Sequence, residues 1–259
     1  MNNTVKAGNI YIGDGIPKIC VPIVEETQSG IFKMAQAVYE SDADIAEWRA
    51  DFYNDCYNTE KVMETLSNIK EILKDKPVLF TFRTADEGGN KDISYKDYAA
   101  LLVRASAEAD LVDTEMYRSE NITGLTSIIK KSSVIVGSYH DFRSTPATEE
   151  MTDRLVYMYN AGADIPKIAV MPASEMDVIR LMEASLKAKE LLKGNPVITM
   201  SMSGMGLVSR IVAENTGSAV TFGCIGRPSA PGQIEVNKLK KMLDILHYKT
   251  ERETTDGQA

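Results

Sequence analysis

The 259-residue chain predicts an α/β protein, a (β/α)8 TIM barrel with a short N-terminal β-hairpin. Three observations predict it. Strand-like and helical patterns alternate about eight times, with short connections and no linker. The strand segments are apolar almost throughout, as in a parallel sheet buried on both faces. The length matches the roughly 250 residues typical of such a barrel, so residues 1–259 read as one domain. The rival fold, a doubly wound open sheet, often carries a glycine-rich first turn. Here that turn is Val24-Glu25-Glu26-Thr27.

Residues 4–15 read as the hairpin, with Val5, Ile10 and Ile12 around the turn-prone Gly8-Asn9. The first barrel strand spans 18–24, and Ile31, Met34 and Val38 mark one face of the helix after it. A strand at 44–49 precedes the helical stripe Val62, Leu66, Ile69 and Leu73. The third strand, 77–83, leads to a helix whose N-cap is Ser94. Strand 111–115 is followed by a short helix ending near Lys130-Lys131, and strand 134–140 by a helix from about Thr148. The sixth strand lies in 164–171, where Pro166 marks a bulge or the strand's first residues. Its helix opens with Ser174 and Asp177 at capping-box spacing. Strands at 196–202 and 219–223 complete the set, and Val236, Leu239, Met242, Leu243 and Leu246 stripe the last helix. Residues 250–259 read as a flexible polar tail.

Composition excludes several functions. The net charge of -8 and the lack of a basic stripe argue against nucleic acid as a partner. No apolar run approaches the ~20 residues that span a bilayer, and the first residues lack the order of a secretory signal. Cys20, Cys56 and Cys224 have no paired spacing, which suits a reducing cytoplasm. With only His140 and His247, a histidine-rich metal centre is excluded.

Lys167 stands alone in the apolar run Ile165-Pro166-Lys167-Ile168-Ala169-Val170. Burial disfavours an ammonium and lowers its pKa from the ~10.4 of a free lysine, which makes a carbonyl nucleophile. A lysine that snorkels outward, or pairs with Asp164, reads equally well from this stretch alone. Other polar groups gather where barrel chemistry sits, at the strands' C-terminal ends. They are Glu47 and Arg49 after strand two, Arg83 and Glu87 after strand three, and His140-Asp141 after strand five. Arg210 follows strand seven, and the loop from Gly226 and Arg227 to Gln233 follows strand eight. Each has a structural alternative. Glu47 and Arg49 share a strand face and could pair, Arg83 could cap the rim, and a lone histidine is usually a satisfied core group. Met200, Met202 and Trp48 read as packing, Trp48 on the outer barrel face.

Taken together, these groups suit one chemistry. An iminium on Lys167 makes the adjacent carbon acidic, and His140, about 5 Å away on the neighbouring strand, can take that proton. Glu87 could fix the imidazole's tautomer. Three arginines would attract an anion, Arg210 gripping a carboxylate with two parallel bonds, and the 229–233 loop could close as a lid.

At this level of detail the chain resembles type I 3-dehydroquinate dehydratases. The resemblance rests on Glu47-Trp48-Arg49-Ala50-Asp51, the segment from Phe80 to Gly89, and Ser138-Tyr139-His140-Asp141-Phe142. It extends through the segment from Asp164 to Pro172, Thr199-Met200-Ser201-Met202 and Ser229-Ala230-Pro231-Gly232-Gln233. It implies a cytoplasmic, homodimeric barrel of the shikimate pathway, needing no metal or cofactor, that converts 3-dehydroquinate to 3-dehydroshikimate. Lys167 would form the Schiff base, His140 would shuttle the proton, and Glu87 would orient it. Arg210 would hold the substrate carboxylate; Glu47, Arg49, Arg83 and Gln233 the ring hydroxyls; and Ser229 would close from the lid. Phe142, Met200, Met202 and Phe222 would line the pocket. One departure is Pro22, where some relatives have serine. The competing readings are a Schiff-base aldolase using Ser203-Gly204-Met205-Gly206 for a sugar phosphate, and a barrel that only binds a carboxylate.

Overall fold

Alternating side-chain direction along eight parallel strands gives this chain two cores, one inside a barrel and one outside it. A computed structural model describes residues 3–226 and 228–247. The hairpin comes first, β1 (Val5–Ala7) against β2 (Ile10–Ile12), with Gly8 at positive φ in the turn. The barrel then runs β3 (Lys18–Ile23), α1 (Gln28–Tyr39), β4 (Ile45–Arg49), α2 (Thr59–Leu73), β5 (Val78–Thr81) and α3 (Tyr95–Ala105). It continues through β6 (Leu111–Glu115), α4 (Ile122–Ile129), β7 (Val134–Asp141), α5 (Thr148–Asn160), β8 (Ile165–Val170) and α6 (Glu175–Leu191). After β9 (Ile198–Ser201), the predicted seventh helix is two single turns, α7 (Val208–Ile211) and α8 (Ala213–Thr216). The chain then forms β10 (Val220–Cys224), β11 (Ile234–Glu235) and α9 (Val236–Leu246).

Strands β3 to β9 pair in sequence order, β10 lies beside β3, and the ring closes through a parallel bridge between Val197 and Ser218. The two-residue β11 pairs in parallel beside β10, an addition the sequence reading lacks. Pro166 is the second residue of β8, registered with Gly137, and pairing with β9 begins only at Lys167. The proline therefore costs no bulge. Ser94 caps α3 by accepting from the Asp97 N–H, and the Asp177 carboxylate reaches back to the Ser174 N–H. Asp is thus long enough for this capping box.

Outward residues such as Ile19, Trp48, Phe80, Val112 and Ile168 pack under the helices. Trp48 is fully buried there, with its ring edge-on to Phe80 at 5.6 Å between centroids. Trp48→Ala should cost about 3–5 kcal/mol, read as a lower urea midpoint with an unchanged slope. Inward residues at the strands' N-terminal ends, including Cys20, Ile45, Leu79, Leu111, Val136 and Ile165, form a second core. Ala7 and Ile12 of the hairpin join it and plug that end of the barrel. In α9, Val236, Leu239 and Leu243 are buried, whereas Met242 and Leu246, expected in the stripe, remain exposed. Among the described residues no helix is long and apolar enough to cross a membrane. Arg227 and the 250–259 tail lie outside the described residues.

Candidate active site

Two residues further along each strand, the inward positions change character. Ile45 is followed by Glu47 and Arg49, Leu111 by Asp113 and Glu115, Val136 by Ser138 and His140, and Ile165 by Lys167. A period of two carries each strand from the apolar plug into a polar layer facing the same interior. This layer floors a pocket enclosing ≈ 530 Å³, part of it open to solvent. Glu47, Arg49, Arg83, Glu87, His140 and Lys167 line it on one side. Met200, Met202, Phe222, Arg210, Phe142 and the lid residues Ser229 and Gln233 complete the wall. Every residue to which the resemblance gave a catalytic or binding role therefore lines this one cavity.

Lys167 is 3% exposed, so it does not snorkel. Nor does it pair with Asp164, which instead meets Lys130 and the Ile135 N–H at the other end of the strand. Its Nζ lies 3.1 Å from Asp113 Oδ2, 3.8 Å from Glu47 Oε1 and 4.8 Å from the centre of the Phe222 ring. The surroundings are dry but not purely apolar. Ser138, not His140, is the register partner of Lys167; His140 sits opposite Ala169, one inward position nearer the mouth.

His140 Nδ1 lies 2.8 Å from Glu87 Oε2, the contact expected of an orienting carboxylate. Glu87 is held there by a short turn, Ala85–Glu87, that ends at Gly88 with φ of 79°. A Cβ at Gly88 would collide with the Phe142 ring, so only glycine lets the turn and the pocket wall meet. Burial pushes the Glu87 carboxyl up to about 8, against the pull of Arg83. Burial, with Arg83, Lys167 and Arg49, pushes the His140 imidazole well below its usual value. Both shifts disfavour charge, so near neutrality the pair is an acid and a neutral imidazole sharing one proton. Loss of that proton near pH 8 leaves a carboxylate that accepts from Nδ1–H and frees the Nε2 lone pair.

The three arginines differ in their partners. Arg49 forks onto Asp51 with two bonds of 2.8 Å, so the alternative Glu47–Arg49 pair does not form. Glu47 instead accepts from the Thr81 hydroxyl at 3.0 Å. Arg83 is committed to Asp113 at 2.7 Å, Glu115 at 3.0 Å and the Ser138 hydroxyl at 2.9 Å. Arg210 is 1% exposed and has no carboxylate within ion-pair distance among the described residues. Its contacts are the Phe222 carbonyl at 3.4 Å, the Pro231 carbonyl at 3.3 Å and the Met200 sulfur at 3.8 Å, and its Nε has no partner among the described residues. Burial lowers its pKa to about 10. A buried guanidinium at a pocket wall, with no counter-ion among the described residues, has the charge and the donors to take an anion.

In the lid, Ser229 N–H donates to Gln233 Oε1 at 2.7 Å, and Gln233 Nε2 donates to Ser229 Oγ at 2.9 Å. Gly232, at φ of 82°, packs against Ser203 so closely that a Cβ would strike its carbonyl. Pro22 is registered with Glu47 on the first barrel strand and does not line the pocket.

Residues 19–250 match the family described as type I 3-dehydroquinase. The chain belongs to this family. A 3-dehydroquinate dehydratase of Bacillus licheniformis is 45% identical over 251 residues, covering 95% of this chain and 99% of that one. A crystal structure of the type I enzyme from Clostridium difficile superposes with a TM-score of 0.92 at 43% identity, over 95% of this chain and 99% of that one. The Geobacillus kaustophilus 3-dehydroquinate dehydratase also gives 0.92, at 35% identity, over 95% and 98%. What the sequence reading missed is the support behind Lys167: Asp113, Glu115 and Ser138. The signal was present, because Asp113 and Glu115 fall at i and i+2 in an otherwise apolar strand.

Proposed function

We propose that the chain dehydrates 3-dehydroquinate to 3-dehydroshikimate through a Schiff base on Lys167. The observation that carries this is a dry lysine and a histidine–carboxylate pair in one pocket with a buried arginine that has no carboxylate partner among the described residues. Nζ attacks the ring ketone, a C–N bond forms, and the carbonyl oxygen leaves as water. His140, oriented by Glu87, removes the proton next to the iminium, giving an enamine. The enamine expels the hydroxyl on the following carbon, and the imidazolium protonates it to water. Hydrolysis of the conjugated iminium then returns the amine and releases the enone. The lysine supplies the electron sink, so the reaction draws on no cofactor.

Arg210 binds the substrate carboxylate through its guanidinium fork. Glu47, Arg49, Arg83 and Gln233 meet ring hydroxyls, with Ser229 from the lid, and Phe142, Met200, Met202 and Phe222 enclose the ring. The Ser229–Gln233 pair opens for this, exchanging its mutual bonds for bonds to substrate. In support, the Clostridium difficile structure is described with covalent modified comenic acid. We include in this proposal a single barrel domain, a homodimer, and action in the cytoplasm, where the buried Cys20, Cys56 and Cys224 stay reduced.

The test is turnover of 3-dehydroquinate, followed as the conjugated enone appears, in wild type and Arg210→Ala. Loss of a buried charge-assisted fork should raise KM at least about 30-fold, with a smaller effect on kcat. Cleavage of a sugar phosphate, with no enone formed, would favour the aldolase reading instead. The Glu87–His140 pair also sets a pH dependence. Its base-competent form is the deprotonated one, so kcat/KM should fall as pH drops below about 8. Glu87→Gln should abolish that limb, and an unmoved limb would assign it to another group.

A further inference from the structure

We propose that Asp113 is a positioning residue that fixes the Lys167 nitrogen and supplies the fixed negative charge its protonated imine requires. This rests on the imine chemistry proposed above. Asp113 projects from β6 into the barrel and is 1% exposed. Its Oδ2 lies 2.7 Å from Arg83 and 3.1 Å from Lys167, and its Oδ1 accepts from the Ser138 hydroxyl at 2.6 Å. Donors from β7, β8 and the segment after β5 therefore lock the carboxylate in one orientation. Ser138 and Lys167 are register partners, so hydroxyl, carboxylate and amine share a layer. Asp113 does not line the pocket, so it acts on substrate only through the lysine.

When the ketone oxygen leaves as water, the nitrogen keeps one hydrogen and a positive charge. The hydrogen bond that an ammonium donates to Asp113 then passes to the iminium without moving the carboxylate. Such a preset charge incurs no reorganisation at the moment of reaction. It matters because only the protonated imine is a strong electron sink.

Other groups near this nitrogen do not replace Asp113. Glu47 on β4 is farther, at 3.8 Å, accepts from Thr81 and faces the pocket. His140 on β7 is held neutral, by burial first, and Arg83 after β5 is itself a cation, so neither offers negative charge. Cys20 on β3 is buried with a thiol pushed well up, by burial first, and Phe222 on β10 offers only its ring face. Burial works to raise the Asp113 carboxyl, but Arg83, then Lys167 and Ser138, outweigh it and hold it at about 2. It therefore serves as counter-ion and does not take the lysine's proton.

The test compares full-length wild type, Asp113→Asn and Ser138→Ala by kcat, KM, pH profile and borohydride trapping with 3-dehydroquinate. Asp113→Asn should lower kcat about 10²-fold or more, leave KM within about threefold, and move the alkaline limb of kcat, where the iminium loses its proton, down by about one pH unit. Ser138→Ala should shift both in the same direction by less. If Asp113→Asn does not fold, the limb in Ser138→Ala decides. An unmoved limb, even with activity lost, marks a merely structural role and overturns the proposal. A wild type that turns over without trapping overturns the imine reading itself.

Discussion

Lys167→Met should lower kcat by at least about 10⁴-fold, the scale on which loss of a covalent nucleophile acts. Methionine keeps the bulk of the side chain in the dry interior and removes only the amine. Asp113 keeps its Arg83 partner at 2.7 Å, so the carboxylate is not stranded. The variant should therefore remain folded, with a thermal midpoint near wild type, and still bind substrate through Arg210. Inactivity with intact folding and binding separates lost chemistry from lost structure. Residual turnover above about one per cent would be incompatible with an obligatory covalent intermediate.

His140→Ala should lower kcat by about 10²–10⁴-fold, the usual worth of a positioned acid–base group. The effect differs in kind from that of the lysine. Nζ remains, so the imine still forms, but neither proton removal nor imine hydrolysis has its shuttle. The covalent species should accumulate and be visible by intact mass without any reductant. Glu87 loses its 2.8 Å partner in this variant but keeps Arg83 at 3.5 Å. Wild-type turnover in this variant would remove the histidine from the mechanism.

The sequence showed the fold because barrel strands are uniform. Six or so apolar residues, a turn and an amphipathic stripe recur, and each recurrence reports the same burial on both faces. It failed where local chemistry yields to tertiary context. The segment after β9 breaks into two single turns, and the two-residue β11 is too short to leave a pattern. The pocket residues were legible because polar side chains at strand ends are conspicuous against apolar runs. Their partners were not. Glu47 and Arg49 share a face, yet the guanidinium turns to Asp51, whose carboxylate also takes the Arg83 and Asn90 N–H groups. Asp113 passed as strand filler, because its meaning depends on Arg83 and Lys167, which reach it only when the barrel closes. Three similar arginines in sequence become two neutralised ones and a single buried cation, and that difference depends on where the carboxylates fold.

The most direct measurement is intact-mass and peptide mapping after borohydride reduction with 3-dehydroquinate present. One reduced adduct per chain, mapped to Lys167 and absent without substrate, is the expected result. Turnover with no adduct, or an adduct on a different lysine, would contradict the account.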